Sequence, residues 1–126
     1  MGMTFDESAW PILLISYPPN YAYDDVEKHL MVILSHLERR QLFALVFDLR
    51  GTRVFTASER QLLWRFLKTH RLLLERYCFS TVVVTENRLH RAVLSAFAWM
   101  VNLPFVMKTY PTLEASRDWL RGILSN

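Results

Sequence analysis

The stretch FALVFDLRGTRVFTASERQL, Phe43 to Leu62, sets Asp48, Arg50, Arg53, Glu59 and Arg60 around one glycine, Gly51. A second charged group, Glu86, Arg88, His90 and Arg91, follows the apolar run that ends at Thr85. Guanidinium groups bind phosphates and carboxylates through paired hydrogen bonds, so both groups are candidates for anion recognition. The ends of parallel strands fall on one edge of a sheet, where helix N-termini add partial positive charge. Two readings stand side by side. Arg50, Arg53, Arg60, Arg88 and Arg91 form an anion or acidic-partner site, or they are spent on ion pairs with Asp48, Glu59 and Glu86.

Other chemistries find less support in the residues. The four histidines, His29, His36, His70 and His90, lie in three predicted helices, and none stands four residues from another, so no metal site is expected. His70 reads as a partly packed helix residue and His90 as a solvent-facing one. The lone Cys78 opens an apolar run, which suits a small buried side chain better than a reactive thiol. There is no G-x-S-x-G elbow, P-loop or dinucleotide fingerprint, since the only glycines are Gly2, Gly51 and Gly122. Asp48 is better placed to hold Arg50 or Arg53 than to move protons. No catalysis and no cofactor are expected.

The elements that must position these residues follow from periodicity. Thr4–Phe5 and Trp10–Tyr17 read as strands, with Pro11 marking an edge or a first strand position. Asp24 with Glu27 suggests a capping box for a helix running to about Gln41. Leu42–Leu49 is a continuous apolar run, as in a strand buried on both faces. Thr56 and Glu59 form a second capping-box pair and open a helix predicted to reach about Tyr77. Phe79–Thr85 is the next buried strand, followed by a helix over NRLHRAVLSAFAWMVN, capped by Thr85 or Asn87. PFVMKTY makes a last strand, and Thr112 caps a helix to about Leu124. The predicted fold is α/β, in the order ββαβαβαβα, with a mostly parallel sheet and an N-terminal hairpin.

At 126 residues, one domain spanning residues 1–126 is expected. Apolar residues make up 52% and charged residues 21%, as in a globular chain. Its apolar runs are too short to span a membrane. One cysteine and the lack of a secretory leader point to the cytoplasm. Gly2 does not make a myristoylation signal, because Asp6 stands where Ser or Thr is needed. Charge is uneven: residues 1–30 carry five acids against Lys28, whereas residues 50–91 carry nine bases against three acids. Such asymmetry bears on partners and steering.

LVFDLRGTRVFTASERQL resembles the third strand, loop and second helix of STAS domains, the anti-sigma-factor antagonist fold of SpoIIAA. WPILLISYP, FALVFDLRG and HRAVLSAFAW look similar to the small bacterial SpoIIAA-like (STAS/SEC14) group. The resemblance covers essentially the whole chain and implies a protein partner, such as a kinase-like or signalling protein. Regulated members carry an Asp-Ser pair at the start of the second helix, and a partner kinase phosphorylates the serine. Here Thr56 and Ala57 occupy those positions, so the acceptor is missing, and Ser58 stands one position late.

Ala92–Val101 is apolar on nearly every side, with Ser95 its only polar member. A helix on one face of a sheet should be amphipathic, so Phe97, Trp99 and Met100 are candidate interface residues, for a second copy or another protein. Trp10, Trp64 and Trp119 read as core. The sequence therefore describes a non-enzymatic regulatory or interaction module, with a binder of a small anion, nucleotide or lipid headgroup as the alternative.

Overall fold

The computed structural model describes residues 3–124; Gly2 lies outside them. Five strands form one sheet in the order β1-β2-β3-β4-β5. They are β1 (Thr4–Asp6), β2 (Ile12–Ser16), β3 (Phe43–Asp48), β4 (Cys78–Val84) and β5 (Val106–Tyr110). β1 runs antiparallel to β2, and every other neighbour is parallel. The helices are α1 (Tyr23–Leu37), α2 (Ala57–Thr69), α3 (Arg71–Tyr77), α4 (Arg88–Val101) and α5 (Leu113–Leu124). The fold is thus α/β with a mostly parallel sheet and an N-terminal hairpin, as the alternating pattern predicts.

Sequential parallel strands joined by right-handed crossovers place all their connecting helices on one face. The side chains follow that rule. Leu13, Ile15, Phe43, Leu45 and Val83 pack in one cluster with Val26, Ile33, Leu74 and Leu94 from α1, α3 and α4. The alternate residues, Leu14, Ala44, Val46, Val82 and Val84, pack on the other face against Leu120 and Trp119 of α5. Both faces of β3 and β4 are therefore covered, which is why those strands read as unbroken apolar runs. Burying one such Leu or Val contributes about 2 kcal/mol.

Several boundaries depart from the sequence reading. The helix expected to run from Thr56 to Tyr77 breaks at His70, giving the order ββαβααβαβα. His70 takes φ −111° and ψ 22°, and its ring packs on Phe66 at 4.7 Å. Asp24 does not cap α1. The helix starts one residue earlier, at Tyr23, and the Ala22 N–H donates to Asp25 Oδ2 at 2.8 Å. That helix ends at Leu37, short of Gln41. Pro11 stands just before β2, which is an inner strand, and its carbonyl accepts from the Ala44 N–H at 2.8 Å. Trp64 is 43% exposed on α2 and so is not core, whereas Trp10 packs against Phe43.

At the β3–α2 corner Gly51 has φ +75°, a left-handed conformation that costs an L side chain roughly 1 kcal/mol or more. A Cβ there would meet nothing within 4 Å, so the backbone sets the whole cost. Gly51→Ala is expected to lower the unfolding free energy by about 1 kcal/mol in urea titrations, with an unchanged m-value.

Candidate functional site

The in-register parallel strands end together, so Asp48 and Val84 are direct partners and the segments after them share one edge of the sheet. The Tyr17 N–H donates to the Asp48 carbonyl, the Leu49 N–H to Val84, and the Thr85 N–H to Tyr110, extending the sheet by one rung on each side. The loops beyond this rung carry the predicted arginines.

Two of the five arginines are committed to carboxylates. Arg50 donates from Nε and Nη2 to the two oxygens of Asp48, each at 2.8 Å. Burial pushes the Asp48 carboxyl up, but the hydrogen bonds from Arg50 outweigh it and hold the group below its ordinary value. Arg53 makes the same forked contact with Glu59, 2.8 Å to each oxygen. Its guanidinium also donates to the Tyr21 carbonyl and hydroxyl, both at 3.1 Å, and lies 4.1 Å from the centre of the Tyr21 ring.

Arg60 donates from Nη1 to the Phe55 carbonyl. Arg88 and Arg91, in the first turn of α4, make no ion pair among the described residues. At Arg50 and Arg53 the geometry is that of structural ion pairs.

Glu59 closes the capping box at the start of α2. Its Oε1 accepts from the Thr56 N–H at 2.9 Å, and Thr56 Oγ1 accepts from the Glu59 N–H at 3.2 Å. The side chain is almost wholly buried, and Arg53, then the Thr56 N–H, hold its carboxyl below the ordinary range against the opposing effect of burial. Ala57 presents a methyl group in the first turn, and Ser58 beside it is exposed.

Of the three predicted interface residues, Trp99 and Met100 stand in solvent, 87% and 77% exposed. Phe97 turns inward and lines an apolar cavity of about 100 Å³ over the covered face of the sheet. Residue spacing along single elements gave no sign of this space, because seven elements and the loops between them contribute to its wall.

The burial of three histidines, His29, His36 and His90, also escaped the sequence reading. His29 lines the cavity and shares a hydrogen bond of 2.5 Å between its Nδ1 and the Tyr17 hydroxyl. Burial pushes His29 down to about 3 and Tyr17 well above the usual phenol value, so both are neutral near pH 7. His90, read from sequence as solvent-facing, is fully buried against Phe55, and neither ring nitrogen has a hydrogen-bond partner. The signal was present in the spacing, since His90, Leu94, Phe97 and Val101 lie on one stripe of α4. Asn87 caps that helix, its Oδ1 accepting from the Leu89 and His90 N–H groups. Cys78 is buried as expected, its thiol pushed up to about 12 by burial. Among the described residues no group of three His, Cys, Asp or Glu could hold a metal ion, and no helix is long and apolar enough to cross a membrane.

A five-stranded sequential sheet with α1 to α4 on one face, α5 on the other and a strand-to-helix corner after β3 is the architecture of the SpoIIAA-like fold. A solved structure supports this: an uncharacterized protein of the DUF3478 family from Shewanella loihica PV-4, described as having a SpoIIAA-like fold. It matches with a TM-score of 0.66 and 15% identity, over 94% of this chain and 92% of that one. At that identity the likeness shows the fold alone. No protein-family model and no curated protein matches the chain.

The Glu59 pair and His90 generate opposite expectations. Glu59→Ala removes an acceptor from the Thr56 N–H and strands Arg53, and should cost about 2 kcal/mol by urea denaturation at pH 7. Because the Glu59 carboxyl is held low, its contribution is present above the ordinary value of 4.5 and lost as pH falls below it.

Burial also depresses His90, so the unfolded chain takes up that proton first, and stability falls as pH drops below the ordinary value of 6.5. His90→Phe removes two unpartnered nitrogens and should raise stability by about 1 kcal/mol at pH 7. It should also lessen the stability lost between pH 7 and pH 5, measured by thermal unfolding across that range.

Proposed function

We propose that the chain is a non-enzymatic protein-interaction module of the STAS type that docks through the outer face of α4 and works without a phosphoacceptor at the family's position. The observation that carries this reading is the composition of that face. Beyond the exposed Arg88 at its start, its exposed residues are Leu89, Ala92, Ser95, Ala96, Trp99 and Met100, which recur at helical spacing, and among these six Ser95 alone is polar. Between Arg91 and Lys108 the chain has no charged residue at all. Tryptophan and methionine are enriched in the centres of protein interfaces, and a contiguous apolar patch in water is unfavourable until something covers it.

Further support comes from what the ionisable groups on and around the sheet are doing. Asp48 and Glu59 hold arginines, His29 is tied to Tyr17, and the Cys78 thiol is buried with its ionisation suppressed. These are structural assignments, and none leaves an acid, base or nucleophile assembled around an open position. Ala57 has no oxygen to phosphorylate, so docking is governed by concentration and affinity. The partner is another protein, a second copy of this chain included, and the cytoplasm is its proposed setting.

Trp99→Glu should leave the melting temperature nearly unchanged, because the side chain is mostly in solvent, yet abolish association. Wild type at high micromolar concentration is expected to sediment as a dimer, or else to retain a specific partner from host extract, and the variant to do neither. Identical sedimentation and identical retained proteins for the two would overturn the reading.

A further inference from the structure

We propose that the trough between α5 and the β1–β2 hairpin binds a small carboxylic acid, a single carboxylate on an apolar body about the size of an aromatic ring. It lies on the face of the sheet opposite α1 to α4 and stands independently of the docking face of α4.

The trough exists because one helix cannot cover this face. Five strands about 4.8 Å apart make a sheet about 19 Å wide, and a helix with its side chains spans only about 10–12 Å. Among the described residues α5 is the only helix packed there, and it lies towards β4 and β5. Leu120 is buried on Val82 and Val84, and the Trp119 ring lies 6.3 Å from that of Tyr110. On β2, by contrast, Ile12 and Leu14 are only half-buried, although the same strand buries Leu13 and Ile15 completely on its other face. An inner strand thus keeps an apolar stripe open to water.

The space is about 230 Å³ and its floor is Ile12, Leu14 and Val46. Asp6, Leu14 and Val46 are register partners, side by side across β1, β2 and β3. Leu113, Arg117 and Arg121 recur at helical spacing and form the α5 wall, while Asp6 and Ser8 form the opposite rim. Arg121 donates to Asp118 at 3.4 Å, whereas the Arg117 guanidinium makes no hydrogen bond or ion pair among the described residues. Asp6 is already engaged. Its Oδ1 accepts from the Ser8 N–H at 2.8 Å, and Ser8, then the charge of Arg117, holds its carboxyl below the ordinary value. The Arg117 fork is therefore open to an anion beside an apolar floor. Arg117 and Arg121 against Asp6 leave a charge of +1 along the trough, which a monocarboxylate neutralises. A phosphate dianion would leave negative charge in excess beside Asp6, and an amine would meet two arginines.

The test titrates the full chain at low salt with hydrocinnamate, a phenyl ring on a short carboxylate arm, and with its uncharged amide, read by methyl NMR. The acid should shift the signals of Ile12 and Leu14 saturably, while those of Leu63 and Leu94 across the sheet stay in place. The amide should bind about tenfold more weakly, because it lacks the charge-assisted bonds to Arg117. Arg117→Gln changes an exposed position and leaves the floor intact, so it should weaken the acid about tenfold and the amide hardly at all. Added salt should weaken the acid and leave the amide unchanged. No saturable shift at Ile12 and Leu14, or shifts confined to Leu63 and Leu94, would overturn the proposal. So would equal binding of acid and amide, or an undiminished response in Arg117→Gln.

Discussion

The buried carboxylate of Glu59 is the contact on which the geometry of the C-terminal sheet edge depends. Among the described residues it is the only acid that is buried. A charge in that position is tolerated only with its lone pairs filled, and here three donors fill them: two from Arg53 and the Thr56 N–H. Arg53 in turn grips the Tyr21 carbonyl, while the Tyr21 hydroxyl donates to the Arg53 carbonyl at 3.2 Å. The loop before α1, the loop after β3 and the first turn of α2 are therefore joined through one ion pair. Gly51 makes the corner possible, but this pair sets the direction in which α2 leaves it. That direction fixes how far α2 lies from α4, and so the width of the gap between them.

A pair of this kind carries a cost as well as a benefit. Desolvating Glu59 opposes the attraction to Arg53, and well-packed apolar residues often serve stability as well as a buried pair does. Specificity of conformation is the better account of its presence. A forked contact with four defined heavy atoms admits one arrangement of the corner, whereas an apolar contact between the same loops would admit several. Ala57 opens the first turn with a methyl group, and the permanent carboxylate of Glu59 two positions on is already neutralised by Arg53.

The sequence carried the alternation of strands and helices and the covered strands because each depends on local pattern. Unbroken apolar runs at Leu42–Leu49 and Phe79–Thr85 need cover on both faces, and alternating helices supply it. The Thr56–Glu59 box was legible for the same reason, since its two bonds span three residues. Its burial was not legible, because that comes from Tyr21 and Arg53, which reach it from two separate loops. Asp24 and Asp25 are adjacent acids, and only the true helix start, one residue before Asp24, decides which can reach back to an N–H. The break at His70 carries no Gly or Pro and follows from α3 packing on β4 and α1. His90 misled through residue type: its spacing belongs to the inner stripe of α4, but an imidazole beside two arginines reads as solvated. The cavity and the Tyr17–His29 bond need the tertiary arrangement and have no local signature.

Helix α4 shows what the fold leaves unresolved by itself. An ordinary surface helix buries one apolar stripe and hydrates the other, so its position is held by the contrast between them. Beyond the first turn of α4 the contrast is weak: Leu94 and Phe97 point inward, Trp99 and Met100 outward, and no charge lies between Arg91 and Lys108. What fixes the helix is its ends. Asn87 caps the first turn, and Arg71 donates to the Asn102 carbonyl at 2.8 Å, where Asn102 takes φ 52° to terminate the helix. Anchored at both ends and loosely packed between, α4 has an apolar gap beneath it and an apolar face above it. Apolar contact on either side removes surface from water at ~25 cal/mol per Å², so the helix gains from being covered on both. The unusual composition of this one segment thus accounts for the internal space and the external patch together.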